Sequence, residues 1–195
     1  MGLTMDLVAR LLKLLKSRRS DRDSNPIAVN PFTGKRIVPG ELIEVYPPGA
    51  SIPDIRRFIA RTGIRLSASL QSWLTISNGA AGFLGIPPGA ERCSIEHTWN
   101  QLPEFRESNW IPVARDDFGN FYIQVAIGSS PDIVYFVESV GSYVAYAVSS
   151  NMLQFAEFYL EREKSQSNRW PFDKRFVLSR DPKLANACAV LPWEK

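Results

Sequence analysis

Apolar positions recur at helical spacing at the start of the chain. Leu3, Leu7, Leu11, Leu14 and Leu15, with Val8 and Leu12, form a wide stripe over residues 3–19, and Asp6, Arg10, Lys13 and Ser17 fall on the other face. That period predicts an amphipathic helix. A polar break from Ser20 to Asn25 follows. The pattern then dissolves: Pro26, Pro31, Pro39, Pro47 and Pro48, with Gly34, Gly40 and Gly49, exclude a long helix up to residue 52. Only Glu41 to Tyr46 reads there as a short strand.

Helical periodicity returns with Ser51, which is expected to cap a helix carrying Pro53 in its first turn and stopping at Gly63. Ile55, Phe58 and Ile59 are its apolar face. Ser67 is expected to cap a second helix, with Leu70, Trp73, Leu74 and Ser77 on one stripe. Gly79 is assigned the left-handed position that ends it, with Asn78 as the other candidate. A Gly/Pro-rich turn runs from Gly82 to Gly89, and a weaker helical pattern covers Glu91 to Asn100.

From Trp110 the period changes to two. Short strands are expected at Trp110–Ala114, Asn120–Ala126, Ile133–Val137 and Tyr143–Val148. The first two are joined by a turn at Asp116–Gly119, where Asp and Asn tolerate turn geometry and Gly takes positive φ. This spacing predicts an antiparallel meander. A closing helix, Met152–Lys164, has Leu153, Phe155, Ala156, Phe158, Tyr159 and Leu160 as its stripe. The last thirty residues carry the aromatic anchors Trp170, Phe172, Phe176 and Trp193 and are expected to pack back on the domain. The organisation read from these shifts is a basic amphipathic helix at 1–22, a Pro/Gly-rich arm at 23–50, a core domain at 51–165 and a C-terminal tail at 166–195.

Charge sharpens that division. Residues 1–36 hold eight basic and three acidic side chains, a balance of +5; the remaining 159 hold fifteen basic and seventeen acidic, a balance of −2. The sequence pI of about 8.9 is therefore set by the N-terminal segment. A nucleic-acid binder needs a basic face across the fold, so direct nucleic-acid binding is not expected. No stretch reaches the roughly 18 apolar residues of a membrane span, and the basic residues lie within and after the Leu-rich run, not before it as in a signal peptide. Cys93 and Cys188 sit in no paired spacing and read as free thiols, with a cytoplasmic location as the expectation.

Candidate chemistry is sparse. His97 is the single histidine, so any His-dependent triad or metal site must use it. Cys93 precedes it by four residues, and an enzyme using Cys93 and His97 is the remote reading. No second pair exists to complete a zinc site. Asp116-Asp117-Phe118-Gly119-Asn120 has too few oxygen ligands at calcium spacing and reads as a hairpin turn. No phosphate-binding glycine motif occurs. Neither cofactor, metal nor catalytic residue is expected.

The helix end Leu66–Gly79, the stretch Trp110–Ile123, the strand Ile133–Phe136 and the closing helix Asn151–Leu160 together resemble the SUKH superfamily, in its bacterial immunity-protein-like branch. The resemblance spans roughly residues 51–162. It implies an α+β fold, a mostly antiparallel sheet of about four to six strands with helices packed mainly on one side. It also implies a non-enzymatic protein-binding role. Members of the superfamily typically bind a protein, often a nuclease- or deaminase-type toxin, and neutralise it inside the producing cell, and an immunity protein acting by occlusion is the role expected of this chain; the fungal branch supplies the alternative of a regulatory or scaffold protein in cell-wall synthesis or signalling. On this reading Trp73, Asn78, Gly79, Trp110, Pro112, Gly119 and Asn120 determine the fold, and Asp116, Asp117 and Phe118 at the hairpin tip are the candidate partner contacts.

Overall fold

The computed structural model describes residues 6–15, 28–29, 36–37, 48–79, 82–90, 94–116, 118–126, 132–138, 145–165, 169–187 and 189–194. Residues 6–15 form helix α1. Ala28–Val29 (β1) and Arg36–Ile37 (β2) pair as a short antiparallel ladder. The expected strand at 41–46 lies outside the described residues. Then follow α2 (Ile52–Thr62), α3 (Ala68–Ile76), α4 (Ile95–Gln101), α5 (Pro103–Glu107), β3 (Trp110–Arg115), β4 (Phe121–Val125), β5 (Val134–Val137), β6 (Ala145–Ser149), α6 (Met152–Ser165) and α7 (Lys174–Arg180). Two 3-10 turns, Pro182–Asn186 and Pro192–Glu194, close the chain. The fold is α+β, with one four-stranded antiparallel sheet in the order β3-β4-β5-β6.

The helices begin where local chemistry dictates. Ser51 Oγ accepts the Asp54 N–H, and Gly63, at φ 72°, donates its N–H to Ile59 O. Ser67 Oγ accepts the Leu70 N–H at 3.1 Å and sets the start of α3. Ser94 caps α4 through the His97 N–H, so that helix starts at Ile95 and is shorter than the 91–100 pattern. The end of α3 differs from expectation. The helix stops at Ile76, and Ser77 is already extended. Residues 48–50 run alongside instead, and the Ala50 N–H reaches Leu74 O at 2.8 Å. That bond occupies a carbonyl which a left-handed glycine cap would otherwise leave to the chain beyond it.

Asn78 and Gly79 have a different task. Asn78 is 5% exposed; its Oδ1 accepts the Ile86 N–H at 2.8 Å, and its Nδ2 donates to Ile86 O at 2.7 Å and Pro88 O at 3.0 Å. One side chain thereby anchors the loop that follows. Gly79 has φ 86° and lies so near Gly85 that an added Cβ would sit 3.4 Å from the Gly85 nitrogen. Asn78→Ala would leave buried backbone groups of Ile86 without their partner and is expected to cost about 2–3 kcal/mol. Chemical denaturation at constant m-value would measure it.

The anchored loop covers one sheet edge. Leu84 N–H donates to Val113 O at 2.9 Å and Arg115 N–H to Gly82 O at 2.7 Å. At the other edge, Ala147 N–H donates to Val190 O at 2.9 Å. Both flanks are thus occupied by irregular chain, which blunts edge-to-edge association. Pro112, which has no N–H, sits where the β3–β4 register shifts, between Pro112 and Ala114.

The main core lies between the sheet and α3 and α6. Trp73 and Phe83 meet at 4.8 Å, and Phe83 contacts Phe155 and Tyr159. Leu7, Leu11 and Leu15 of α1 are buried in the same cluster, as are Trp170, Val177, Leu184 and Leu191 from the C-terminal segment. A smaller cluster on the reverse face joins Phe105 of α5 to Ile123 and Val137, with Trp110 at its margin. Phe172, expected as an anchor, is 59% exposed.

Candidate functional site

The hairpin between β3 and β4 places the candidate contact residues at one end of the sheet. Asp116 folds over the turn. Its Oδ1 accepts the N–H groups of Phe118 at 3.0 Å and Asn120 at 2.9 Å, and its Oδ2 accepts from Asn120 Nδ2 at 2.9 Å. Asp116 N–H donates to Asn120 O, and Gly119, at φ 87°, completes the reversal. This carboxylate therefore shapes the turn while it supplies charge. The fixed backbone presents Phe118, 84% exposed, the most exposed of the large apolar side chains described. Asp117 lies outside the described residues. An exposed ring on a braced turn is suited to insertion into a partner's pocket, because little conformational freedom remains to be lost.

Three further places carry side chains of the kinds an active site uses. His97 is exposed on α4, and Cys93 and Cys188 lie outside the described residues. Among the described residues no three His, Cys, Asp or Glu side chains are grouped to hold a metal. A cleft of about 390 Å³ between α1, α3, α6 and α7 contains Ser69, Asp132, Ser150, Asn151, Gln154, Arg180 and Asp181 among its lining. Its carboxylates are occupied structurally. Asp132 accepts from Ser69 N and Oγ; Asp181 accepts from Ser150 N and Oγ and from Ser149 Oγ. They brace the starts of α3 and α6. A shallower groove of about 780 Å³ lies between α2 and Pro87–Pro88, where both terminal guanidinium nitrogens of Arg61 donate to the Glu96 carboxylate at 2.6 Å.

Sequence reasoning missed the buried charge on α6. Glu157 is fully enclosed, with Arg10 Nε at 2.5 Å from its Oε1, Arg180 at 3.6 Å, and Gln154 Nε2 donating to its Oε2 at 2.7 Å. Arg180 in turn pairs with Glu161. The signal available was a glutamate at the centre of an otherwise apolar stripe. Its partners lie on α1 and α7, far away in sequence.

The Glu96 pair gives the protein an acid-sensitive contact. The hydrogen bond from Arg61, before any other influence, holds the Glu96 carboxyl below its ordinary value of 4.5. A lowered native-state value stabilises the fold above that ordinary value, and the contribution is lost as pH falls through the native one. Glu96→Gln is therefore expected to cost about 0.5–1 kcal/mol at neutral pH, the discounted worth of an exposed pair. The gap to the parent protein should close below pH 4.5. Melting temperatures across pH 3–8 would show it.

The family model for the SMI1 / KNR4 family (SUKH-1) matches residues 49–158. The chain belongs to that family. No curated protein and no solved structure matches it. The matched region begins at the strap along α3 and ends inside α6, so it takes in the Asn78 anchor, the whole sheet and the Phe118 hairpin. α1, α7 and the final turns lie outside it, although their leucines, Val177 and Trp170 enter the same core. The SUKH family is generally non-catalytic and its members point to protein–protein interaction. Among the described residues no helix is long and apolar enough to cross a membrane.

Proposed function

We propose that this SUKH protein is a non-enzymatic binding domain that acts in the bacterial cytoplasm as an immunity protein, neutralising a cognate nuclease- or deaminase-type toxin by covering its active surface. The membership of residues 49–158 in the SMI1 / KNR4 family carries this reading. The exposed Phe118 on its braced turn supports it, as an aromatic anchor with acidic neighbours. Asp116, Asp117 and Phe118 are the residues assigned to the contact, Asp117 on its place in the sequence alone. Acidic groups at the rim would speed encounter with a basic toxin, and the ring would supply residence time.

Co-expression tests this. A toxin-domain protein encoded beside the chain is produced alone and together with it. Arrest by the toxin alone and growth in the presence of the folded chain are the expected results. Continued arrest with the chain folded and abundant would overturn the immunity reading and favour a regulatory protein of the same fold.

A further inference from the structure

Charge separates along the chain in step with the family boundary. Residues 49–158 hold seven basic and ten acidic side chains, a balance of −3. Residues 1–48 and 159–195 each hold eight basic and five acidic ones, a balance of +3 on either flank. The fold brings described parts of both flanks together. Arg10 of α1 and Arg180 of α7 reach the same oxygen of Glu157 on α6, at 2.5 and 3.6 Å. Leu7 of α1 lines one cleft with Arg180 and with Lys183 of the first 3-10 turn. α1, α7 and that turn therefore adjoin one another over α6.

The face they form carries cations in excess. Its carboxylates are already engaged: Asp6 with Arg10, Glu157 with Arg10 and Arg180, Glu161 with Arg180, Asp173 with Arg169, and Asp132 and Asp181 with serine donors. Lys13 on α1, Lys174 and Arg175 on α7 and Lys183 are exposed, and among the described residues none of these four side chains is bonded to a carboxylate. Two large apolar side chains neighbour them in the chain. Leu12, 52% exposed, precedes Lys13, and Phe172, 59% exposed, lies two positions before Lys174. The leucine stripe of α1 is not available for contact, because Leu7, Leu11 and Leu15 are buried in the core.

We propose that this face docks on an anionic lipid bilayer, with Lys13, Lys174, Arg175 and Lys183 at the headgroups and Leu12 and Phe172 reaching between them. A bilayer presents mobile anions, which unpaired cations on three separate elements gather without a fixed partner geometry, and each adds to the attraction. The exposed apolar side chains gain by entering the interface, whereas a nucleic-acid backbone offers them no apolar place. The cleft at this face contains Asp132 and Asp181, which disfavours an acidic protein segment seated in it. The protein thus binds folded and peripherally. The surface is distinct from the Phe118 hairpin, which lies within the acidic family region, and it does not depend on the immunity reading.

Co-sedimentation of the full chain with phosphatidylglycerol-rich vesicles and with pure phosphatidylcholine vesicles tests this. Binding to the first, none to the second, and release as salt is raised are expected. Lys174→Gln with Arg175→Gln should weaken binding about thirtyfold, about fivefold for each charge removed. Arg56→Gln with Arg65→Gln removes the same charge from exposed positions outside this face and should change binding less than about twofold. Both double variants should melt with the parent protein. Equal binding to the two vesicle types, equal weakening by the two double variants, or no binding by the folded parent protein would overturn the proposal. So would binding of a glutamate-rich peptide or a DNA duplex in place of vesicles, lost on the α7 substitutions; it would give the face to an acidic protein or a nucleic acid. Self-association lost on the same substitutions, without vesicle binding, would overturn it in favour of the acidic side of a second copy.

Discussion

Trp73→Ala is expected to lower stability by about 3–5 kcal/mol, the range for removing a large aromatic side chain from a packed core. Trp73 has no exposed surface and lies where α3 meets the loop that covers the sheet edge. Its ring is 4.8 Å from Phe83, which contacts Phe155 and Tyr159 of α6. Deleting it opens a cavity between three elements that cannot collapse together, because Asn78 and the Ala50–Leu74 bond hold the neighbouring chain. For a chain of this size the melting temperature should fall by about 10 °C. Trp73→Phe is the informative contrast. It keeps most of the volume and removes an indole N–H that has no hydrogen-bond partner among the described residues. A cost of less than about 1.5 kcal/mol is expected. Calorimetry of the two variants separates packing from polarity.

Removing residues 1–22 is expected to cost about 3–4 kcal/mol, although this segment lies outside the matched family region. Two physical effects act together. Leu7, Leu11 and Leu15 are buried against the domain, and their removal uncovers apolar surface. Much of that gain in the intact protein is offset by the entropy of ordering the helix. The second effect is offset only in part. Arg10 is the nearest cation to Glu157, and taking away one member of a buried pair leaves a charge in an apolar setting. Arg180 at 3.6 Å and Gln154 soften the loss but do not replace Arg10. Leu11→Ala should reproduce part of the effect, about 2 kcal/mol or more, while Leu12→Ser, at a side chain 52% exposed, should leave the melting temperature within a degree or two. Equal stability of the truncated and full chains would show that α1 adds nothing to the domain.

Local chemistry made much of the fold legible in the sequence. Ser51, Ser67 and Gly63 act where their types and spacing place them, and the Asp116–Gly119 turn separates β3 from β4 as the two-residue period suggests. The closing helix was readable from one continuous stripe. What failed was long-range. The Asn-Gly pair looks like a helix stop, yet the helix is capped earlier, at Ser77, with Ala50 bonding the Leu74 carbonyl, and the Asn78 side chain is spent on Ile86 and Pro88. Helix α5 is five residues long and carries too little periodicity to be seen. Type alone makes Phe172 an anchor candidate like its aromatic neighbours; Trp170, two positions earlier, takes the interior place and Phe172 stays exposed.

The site divides in the same way. The hairpin and the exposure of Phe118 follow from turn chemistry, since a ring at the tip of a tight reversal has nothing to pack on. The structural duty of Asp116 also follows from its type. The pairing of Glu157 with Arg10 and Arg180 does not, because its members are brought together only by the packing of α1 and α7 on α6. The same holds for Asp132 and Asp181, whose capping targets are remote in sequence.

Affinity capture from the native cell lysate, with the parent protein and Phe118→Ala side by side and mass spectrometry of what each retains, tests the binding role most directly. The expected result is one dominant partner with a toxin-type domain, held by the parent protein and depleted about tenfold or more on Phe118→Ala, while both proteins melt at the same temperature. Equal recovery of that partner by the two proteins would contradict it.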